Sequence, residues 1–168
     1  IFVMPLLRYL TAGESHGRSL VGIIEGMPAG LSLESVRDID PILAERQRGY
    51  GRSHSQQIAS NTAEILSGVR FGITTGAPIS IKIDNKDWEN WGEKMSVVPS
   101  SIENNPVTIP RPGHADLAGA IKYQQSDIRN ILERASARET AIRVAIGAVA
   151  AKFLKELGIT SFSFVRSI

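Results

Sequence analysis

Three short polar segments stand out in an otherwise apolar chain, because each places a His, an Arg or a Ser beside Gly or at a helix start. They are GESHG at Gly13 to Gly17, RPGHAD at Arg111 to Asp116 and ERASARET at Glu133 to Thr140. None of them carries a bulky apolar side chain, so backbone N–H groups and cationic side chains can approach a charged ligand closely. The segments predict a site for an anion.

Two of the three histidines are candidates for proton transfer. His16 and His114 are flanked by Gly, so a ligand can lie against their rings, and an imidazole exchanges a proton readily near pH 7. His54 has no such neighbours and is expected to be a solvated loop residue. No pair of histidines has the spacing with carboxylates that metal sites favour, so no metal is expected.

The start of the last predicted helix also favours an anion. Ser136 and Glu139 fit a capping box, with Ser136 as the N-cap. Arg134 and Arg138 add two cations at the positive end of the helix dipole, where a phosphate or the edge of a flavin would be stabilised.

The elements that must position these segments indicate a mixed α and β domain. Strands are expected at LLRYLT and LVGIIEG, on either side of GESHG, and at residues 64–70 and 78–83, joined as a hairpin. A helix follows Ser32 and either kinks at Pro41 or restarts there with Asp40 as its cap, ending at Gly49. Residues 85–106 are interpreted as a long polar excursion, and the clearest helix runs over residues 136–157, with Gly158 as its stop.

Composition excludes several classes of protein. A net charge of +2 with 6% aromatic residues argues against a nucleic-acid binder, and no apolar run is long enough for a membrane helix. The absence of cysteine excludes disulfides and thiolate chemistry, and we take the cytoplasm as the default location. The 168 residues are expected to form one domain without an internal boundary.

A serine hydrolase is the main competing enzyme class, because GESHG also matches the pattern of a nucleophile elbow. The elbow requires a helix after the serine, whereas the residues after Ser15 are typical of a strand. A non-catalytic module that binds phosphorylated ligands stays open as a further alternative.

The segments, taken in order, resemble the chorismate synthase family. The resemblance covers residues 7–158 and is carried by GESHG with LVGIIEGMPAG, RQRGYGR, EILSGVRFGITTGAPI, RPGHADLAGAIKY and ERASARETAIRVAIGAVA. It implies an α+β fold in which helices lie sandwiched between antiparallel sheets, with only the first half present here, and a homotetramer at full length. A half-domain would leave sheet edges and the apolar stripe of the last helix uncovered.

The resemblance also implies a carbon–oxygen lyase that acts on a phosphate. The family converts 5-enolpyruvylshikimate 3-phosphate to chorismate and phosphate by 1,4-elimination, in the shikimate pathway to the aromatic amino acids. It requires reduced FMN although there is no net redox change, and NADPH is a candidate reductant of the flavin. The fragment alone is expected to be inactive.

Site residues are carried over by position. His16 resembles the family's acid near the leaving phosphate, and His114 its second essential histidine, near the flavin. The expected substrate contacts are Ser15, Arg46, Arg52, Arg111 and Arg138; Arg46 and Arg52 are also associated with NADP, and Arg134, Ala135 and Ser136 match the stretch assigned to FMN.

The chain departs from the family pattern in the loop after Arg52. Residues 53–57, SHSQQ, replace the usual basic, Gly-rich run and remove at least one cation from the substrate loop. Further residues of the flavin site and a proposed proton-abstracting aspartate belong to the part of the family that lies beyond this chain.

Overall fold

The computed structural model describes residues 7–48, 61–99 and 105–167. Its main sheet is four-stranded and antiparallel, in the order β1, β2, β6, β3. A separate two-stranded ribbon pairs β4 with β5. The strands are β1 Arg8–Ala12, β2 Ser19–Glu25, β3 Glu64–Ser67, β4 Val69–Arg70, β5 Ile73–Thr74 and β6 Ile79–Asp84.

Five α-helices accompany the strands in the described residues: α1 Asp40–Gln47, α2 Trp88–Trp91, α3 Asp116–Tyr123, α4 Arg129–Ala135 and α5 Thr140–Glu156. A π-helical turn, Ser35–Ile39, precedes α1, and a 3₁₀ turn, Ala137–Glu139, precedes α5. The expected α+β class, with antiparallel sheets and helices, is confirmed.

The core forms where α5 packs on one face of the sheet. Alternate residues of β2 and β6 point toward the helix, as the period of two in a strand requires. Gly22 sits at the centre of this contact, because a Cβ there would lie 2.8 Å from Cδ1 of Ile146. The buried residues of this layer are Leu20, Ile24, Ile79, Ile81, Ile83, Ile142 and Val149.

The expectation of uncovered apolar surface is half right. β1 and β3 are edge strands, and Leu10 and Ile23 are exposed on the face of the sheet that points away from α5. The apolar stripe of the last helix is not uncovered, because β2 and β6 cover Ile142, Ile146 and Val149.

The strand predictions are confirmed, with one addition. β1 and β2 flank the GESHG loop, and β3 pairs with β6 as the predicted hairpin requires. The connection between β3 and β6 is longer than a simple turn, because the β4–β5 ribbon forms inside it. Phe71 and Gly72 make that ribbon's turn with φ of 51° and 73°.

The helix after Ser32 restarts at the predicted place, but Asp40 has a different role. Asp40 is the first residue of α1 rather than its cap, and Pro41 lies in the first turn. The Asp40 carboxylate instead accepts a hydrogen bond from the N–H of Ala63 at 2.8 Å, which ties α1 to the start of β3. The predicted end at Gly49 lies outside the described residues.

The predicted capping box is wrong. Ser136 is extended, but its side chain makes no capping hydrogen bond, and α5 begins only at Thr140. The Glu139 carboxylate is occupied by Thr11, Arg134 and Arg143 instead, at 2.8 to 2.9 Å. Charge-assisted bonds to arginine are stronger than a bond to one backbone N–H, so they set the position of this carboxylate. The predicted stop is confirmed by Gly158, which has φ of 73°.

Candidate functional site

The GESHG loop turns tightly between β1 and β2 and docks on α4. Gly13 has φ of 99°, and a Cβ there would lie 2.9 Å from Cα of Leu20, so the loop folds back on its own strand. The N–H of Ser15 donates to the carbonyl of Glu133 at 2.9 Å. Ser15 is fully buried, and its hydroxyl has no hydrogen-bond partner among the described residues.

His16 is held by a single carboxylate. Nδ1 of its ring lies 2.9 Å from Oε2 and 3.1 Å from Oε1 of Glu133, and its backbone N–H donates to the same Oε2 at 2.9 Å. Nε2 makes no hydrogen bond to any residue in the described ranges. Nε2 is therefore the ring atom that remains for a ligand.

Glu133 is 1% exposed, so its charge depends on its neighbours. Burial raises the pKa of a carboxyl group, but the hydrogen bonds from the ring and backbone of His16 and the charge of Arg129 outweigh burial. The pKa of Glu133 consequently lies below its usual value. Arg129, one turn earlier on α4, lies 3.5 Å from Oε1. The carboxylate is ionised at neutral pH.

Trp91 covers the His16 ring. The two ring centroids are 3.8 Å apart with an interplanar angle of 21°. The indole N–H donates to Asp87 at 2.9 Å, and Asn90 donates to the other oxygen of Asp87 at 2.6 Å. These bonds fix the orientation of the indole relative to the start of α2. Interpreting residues 85–106 as an excursion from the core missed this contact, because nothing in their local pattern identifies a stacking partner 75 residues away.

Arg138 and Arg46 form the cationic side of the site. Arg138 donates to Asn61 at 2.9 Å and to the carbonyl of Asp84 at 3.0 Å, while its buried Nε has no partner among residues 7–48, 61–99 and 105–167. Burial and the nearby charge of Arg46 lower the pKa of Arg138 from its usual value. Arg46 donates to the hydroxyl of Thr140 at 2.7 Å. Two guanidinium groups that repel each other are stabilised by a shared anion.

Asp87 connects this cationic side to His16. Hydrogen bonds from Asn90 and Trp91 lower the pKa of the Asp87 carboxyl, and the charges of His16 and Arg138 lower it further. The charges of His16 and Arg138, two residues 122 positions apart in the chain, thus both act on the Asp87 carboxylate.

RPGHAD folds around a buried carboxylate. Arg111 binds Asp116 with Nε at 2.8 Å and Nη2 at 2.9 Å, and with its backbone N–H at 3.0 Å. Nδ1 of His114 lies 3.2 Å from Asp116 and 3.2 Å from Nη2 of Arg111. The Arg111 guanidinium holds the pKa of Asp116 well below its usual range, and Arg111 also feels the charge of Glu133. The second histidine therefore borders the same cluster.

Arg134 serves the chain's own architecture. Its two Nη atoms donate to the carbonyl of Gly13 at 3.1 Å, to the carbonyl and hydroxyl of Thr11 at 2.8 and 2.7 Å, and to Glu139 at 2.8 Å. These four bonds fix the end of β1 and the start of GESHG to α4. Arg134 therefore supports the site by holding the GESHG loop against α4.

A cavity of about 780 Å³ lies between α3 and α4. Its apolar walls come mainly from the stretch that follows His114 and from Ile131, and Lys122 and Arg134 add positive charge. The sequence candidates Arg134 and Ala135 line it; Ser136 is not among the residues that do so. The lining residues are Glu14, Ala115, Ala118, Gly119, Lys122, Tyr123, Gln125, Asn130, Ile131, Arg134 and Ala135.

Two residues singled out in the sequence, Arg52 and His54, lie outside the described residues. Nothing supports the serine hydrolase alternative: strand β2 rather than the helix of a nucleophile elbow follows Ser15. Within the described ranges, no group of His, Asp and Glu side chains is arranged to hold a metal ion, and no helix is long and apolar enough to cross a membrane.

Fold and site together describe an α+β protein that presents a carboxylate-bound histidine beside a cluster of arginines. The sequence model of the family described as chorismate synthase matches residues 7–168, and the chain belongs to that family.

Individual relatives agree with the family match. The chain is 61% identical over 166 residues to a chorismate synthase of Aquifex aeolicus (strain VF5). The matched region covers 96% of this chain and 41% of that protein. It is 57% identical over 166 residues to one of Syntrophotalea carbinolica, covering 98% and 43%. A solved structure titled "Crystal Structure of Chorismate Synthase" matches with 50% identity and a TM-score of 0.68, covering 94% of this chain and 36% of that one. The chain spans about two fifths of the length of the relatives that it matches.

Proposed function

We propose that these residues form part of the active site of a chorismate synthase, which converts 5-enolpyruvylshikimate 3-phosphate to chorismate and inorganic phosphate. The observation that carries the proposal is the arrangement of His16: Glu133 and Trp91 hold its ring, Nε2 has no partner in the described residues, and Arg129 lies 3.5 Å from Glu133. An acid beside cations suits a reaction in which a phosphate leaves.

The substrate would be bound as a polyanion. It carries carboxylates as well as a phosphate, so several cations are needed, and Arg46, Arg111 and Arg138 supply them together with Arg52. The buried Nε of Arg138 and the buried hydroxyl of Ser15 lack partners in the described part of the chain. An unpaired buried polar group costs about 1 to 3 kcal/mol, which a ligand oxygen would relieve.

In the elimination, the C–O bond to phosphate and one C–H bond break while a new C=C bond forms. His16 would give its Nε2 proton to the departing phosphate, and Arg46 and Arg138 would stabilise the charge that develops there. Ser15 would orient the substrate rather than attack it. The group that removes the ring proton belongs to the part of the family beyond this chain.

The chain also fits part of a flavin site. The cavity between α3 and α4 combines apolar walls with Lys122 and Arg134, and about 780 Å³ lies within the range of cofactor pockets. Ala115 and Ala135 line it, so His114 and Ser136 each lie next to a lining residue. Reduced FMN held there would supply electron density to the reacting substrate. His114, oriented by Asp116 and Arg111, would hold or move a proton at its edge.

We further propose NADPH as a reductant of the flavin, with Arg46 and Arg52 as its contacts, a homotetramer for the full-length protein and a cytoplasmic location. Each follows from the family. Size-exclusion chromatography with light scattering of the full-length protein tests the assembly, and anaerobic flavin reduction by NADPH tests the reductant.

The decisive experiment is anaerobic chorismate formation from 5-enolpyruvylshikimate 3-phosphate with chemically reduced FMN. It is run on this chain and on the same gene extended to its natural stop codon. We expect chorismate from the extended protein only. Its absence from both, with both folded and phosphorylated ligand still bound, would identify a non-catalytic anion-binding protein instead.

His16→Ala and His114→Ala in the extended protein test the two proton-transfer roles. Loss of a general acid or base costs about 10²- to 10⁴-fold in rate. Rates like those of the wild type in both variants would exclude these roles.

A further inference from the structure

We propose that Glu133 and Trp91 are positioning residues for His16. Glu133 fixes the ring so that Nδ1 is a donor and Nε2 is the atom presented to the substrate, and Trp91 stacks on the ring. The inference rests on the proposed function for its catalytic meaning, but its structural content can be measured without turnover.

The hydrogen bonds to Glu133 determine the tautomer. An ionised carboxylate only accepts hydrogen bonds, so Nδ1 of His16 carries a proton whether the ring is neutral or charged. The proton that the ring can exchange with a ligand is then the one on Nε2. Because the backbone N–H of His16 binds the same oxygen, the main chain and the ring are locked to one group.

The stack on Trp91 fixes the plane of the ring. At 3.8 Å between centroids, the π face of the indole stabilises a positively charged imidazole more than a neutral one. The indole N–H donates to Asp87 at 2.9 Å, which fixes the orientation of the indole within its own segment. The Arg129 guanidinium lies 5.8 Å from the centroid of the same indole.

Charged groups on three elements act on His16. Glu133 and Arg129 come from α4, Asp87 precedes α2, and Arg111 from the RPGHAD loop acts on Glu133. Glu133 is the group that binds the ring, whereas Arg129 binds Glu133, so the ring depends directly on Glu133.

Trp91 supplies a direct readout. An imidazole stacked on an indole quenches its fluorescence, so Trp91 emission should report the contact between the two rings. The experiment compares the emission of the extended protein at neutral pH in the wild type and in variants. The rise in emission that His16→Asn causes in the wild type but not in Trp91→Phe is the signal of the pair.

We expect Glu133→Ala to raise the emission of Trp91, because the His16 ring then loses the carboxylate that both its Nδ1 and its backbone N–H bind. Glu133→Gln should keep the emission of the wild type, since Gln is nearly isosteric and its oxygen still accepts the two N–H bonds. Glu89→Ala is the matched control: it makes the same change at an exposed position on α2 and should leave the emission unchanged.

Kinetics then separate positioning from general stability. In Glu133→Ala we expect kcat to fall about 10- to 100-fold and KM to change by less than about twofold, with recovery of kcat in Glu133→Gln. Wild-type emission in a folded Glu133→Ala variant, or imidazole ¹⁵N shifts of the wild type that place the proton of the neutral ring on Nε2, would overturn the proposal. A wild-type protein that shows the quenched emission of the pair but forms no chorismate would refute the proposed function and leave the positioning of His16 intact.

Discussion

Gly22→Ala tests how closely the sheet and the last helix pack beneath the site. The new Cβ would lie 2.8 Å from Cδ1 of Ile146 and 2.9 Å from Cγ1 of Ile142, where carbons normally keep about 3.5 to 4.0 Å apart. Overpacking of this kind costs about 1 to 3 kcal/mol, and replacing a strand glycine recovers about 0.5 to 1 kcal/mol. With the middle of each range, the net loss is about 1.2 kcal/mol.

Urea denaturation measures this loss. With a slope of about 2 kcal/mol per molar urea, the midpoint should fall by about 0.6 M. Ile146→Val removes Cδ1, and in the double variant it should recover part of the loss.

Gly147→Ala is the matched control, because it lies on the same helix with nothing within 4 Å of its added Cβ. It should raise stability by about 1 kcal/mol through helix propensity alone. If Gly22→Ala raised the midpoint as much as Gly147→Ala, the close packing of β2 against α5 would be wrong.

Three further predictions concern the site itself. Ser15→Ala should leave the free energy of unfolding unchanged or raise it by up to about 1 kcal/mol, since it deletes a buried hydroxyl without a partner in the described residues, while KM for the substrate rises; a clear loss of stability would contradict this. Asp116→Asn should lower the free energy of unfolding at neutral pH, because the ionised Asp116 carboxylate stabilises the folded state above its unfolded pKa of about 3.9. The wild type loses this stabilisation as the pH falls toward the lowered folded pKa, so the free energies of unfolding of variant and wild type should converge at low pH. Arg138→Lys should weaken binding of the substrate about 10- to 150-fold, because one ammonium cannot hold both Asn61 and the ligand, and equal affinity by calorimetry would exclude Arg138 as a contact.

Much of the fold could be predicted because its signals are local. The alternation in β2 and the spacing of Ile142, Ile146 and Val149 in α5 each report a buried face of a single element. Gly158 ends α5 where expected because only glycine adopts a positive φ without strain.

The site could be predicted only in part, because its residues were recognised but not their partners. His16 and Arg138 stand out from their own segments, whereas Glu133 and Trp91 acquire their meaning from a ring that lies far away in the chain. The capping box failed for the same reason. Glu139 satisfies the local pattern, but Thr11 and Arg134, supplied by the tertiary structure, bind it instead.

The bond between His16 and Glu133 joins residues 117 positions apart, which has a consequence for synthesis on the ribosome. At about 5 to 20 residues per second, roughly 6 to 23 seconds pass between the synthesis of the histidine and that of its carboxylate. During that interval GESHG has no α4 to dock on and must remain hydrated. Its small and polar residues, Gly, Glu and Ser, can stay hydrated during this interval, whereas a bulkier apolar loop would expose an aggregation-prone surface on the nascent chain.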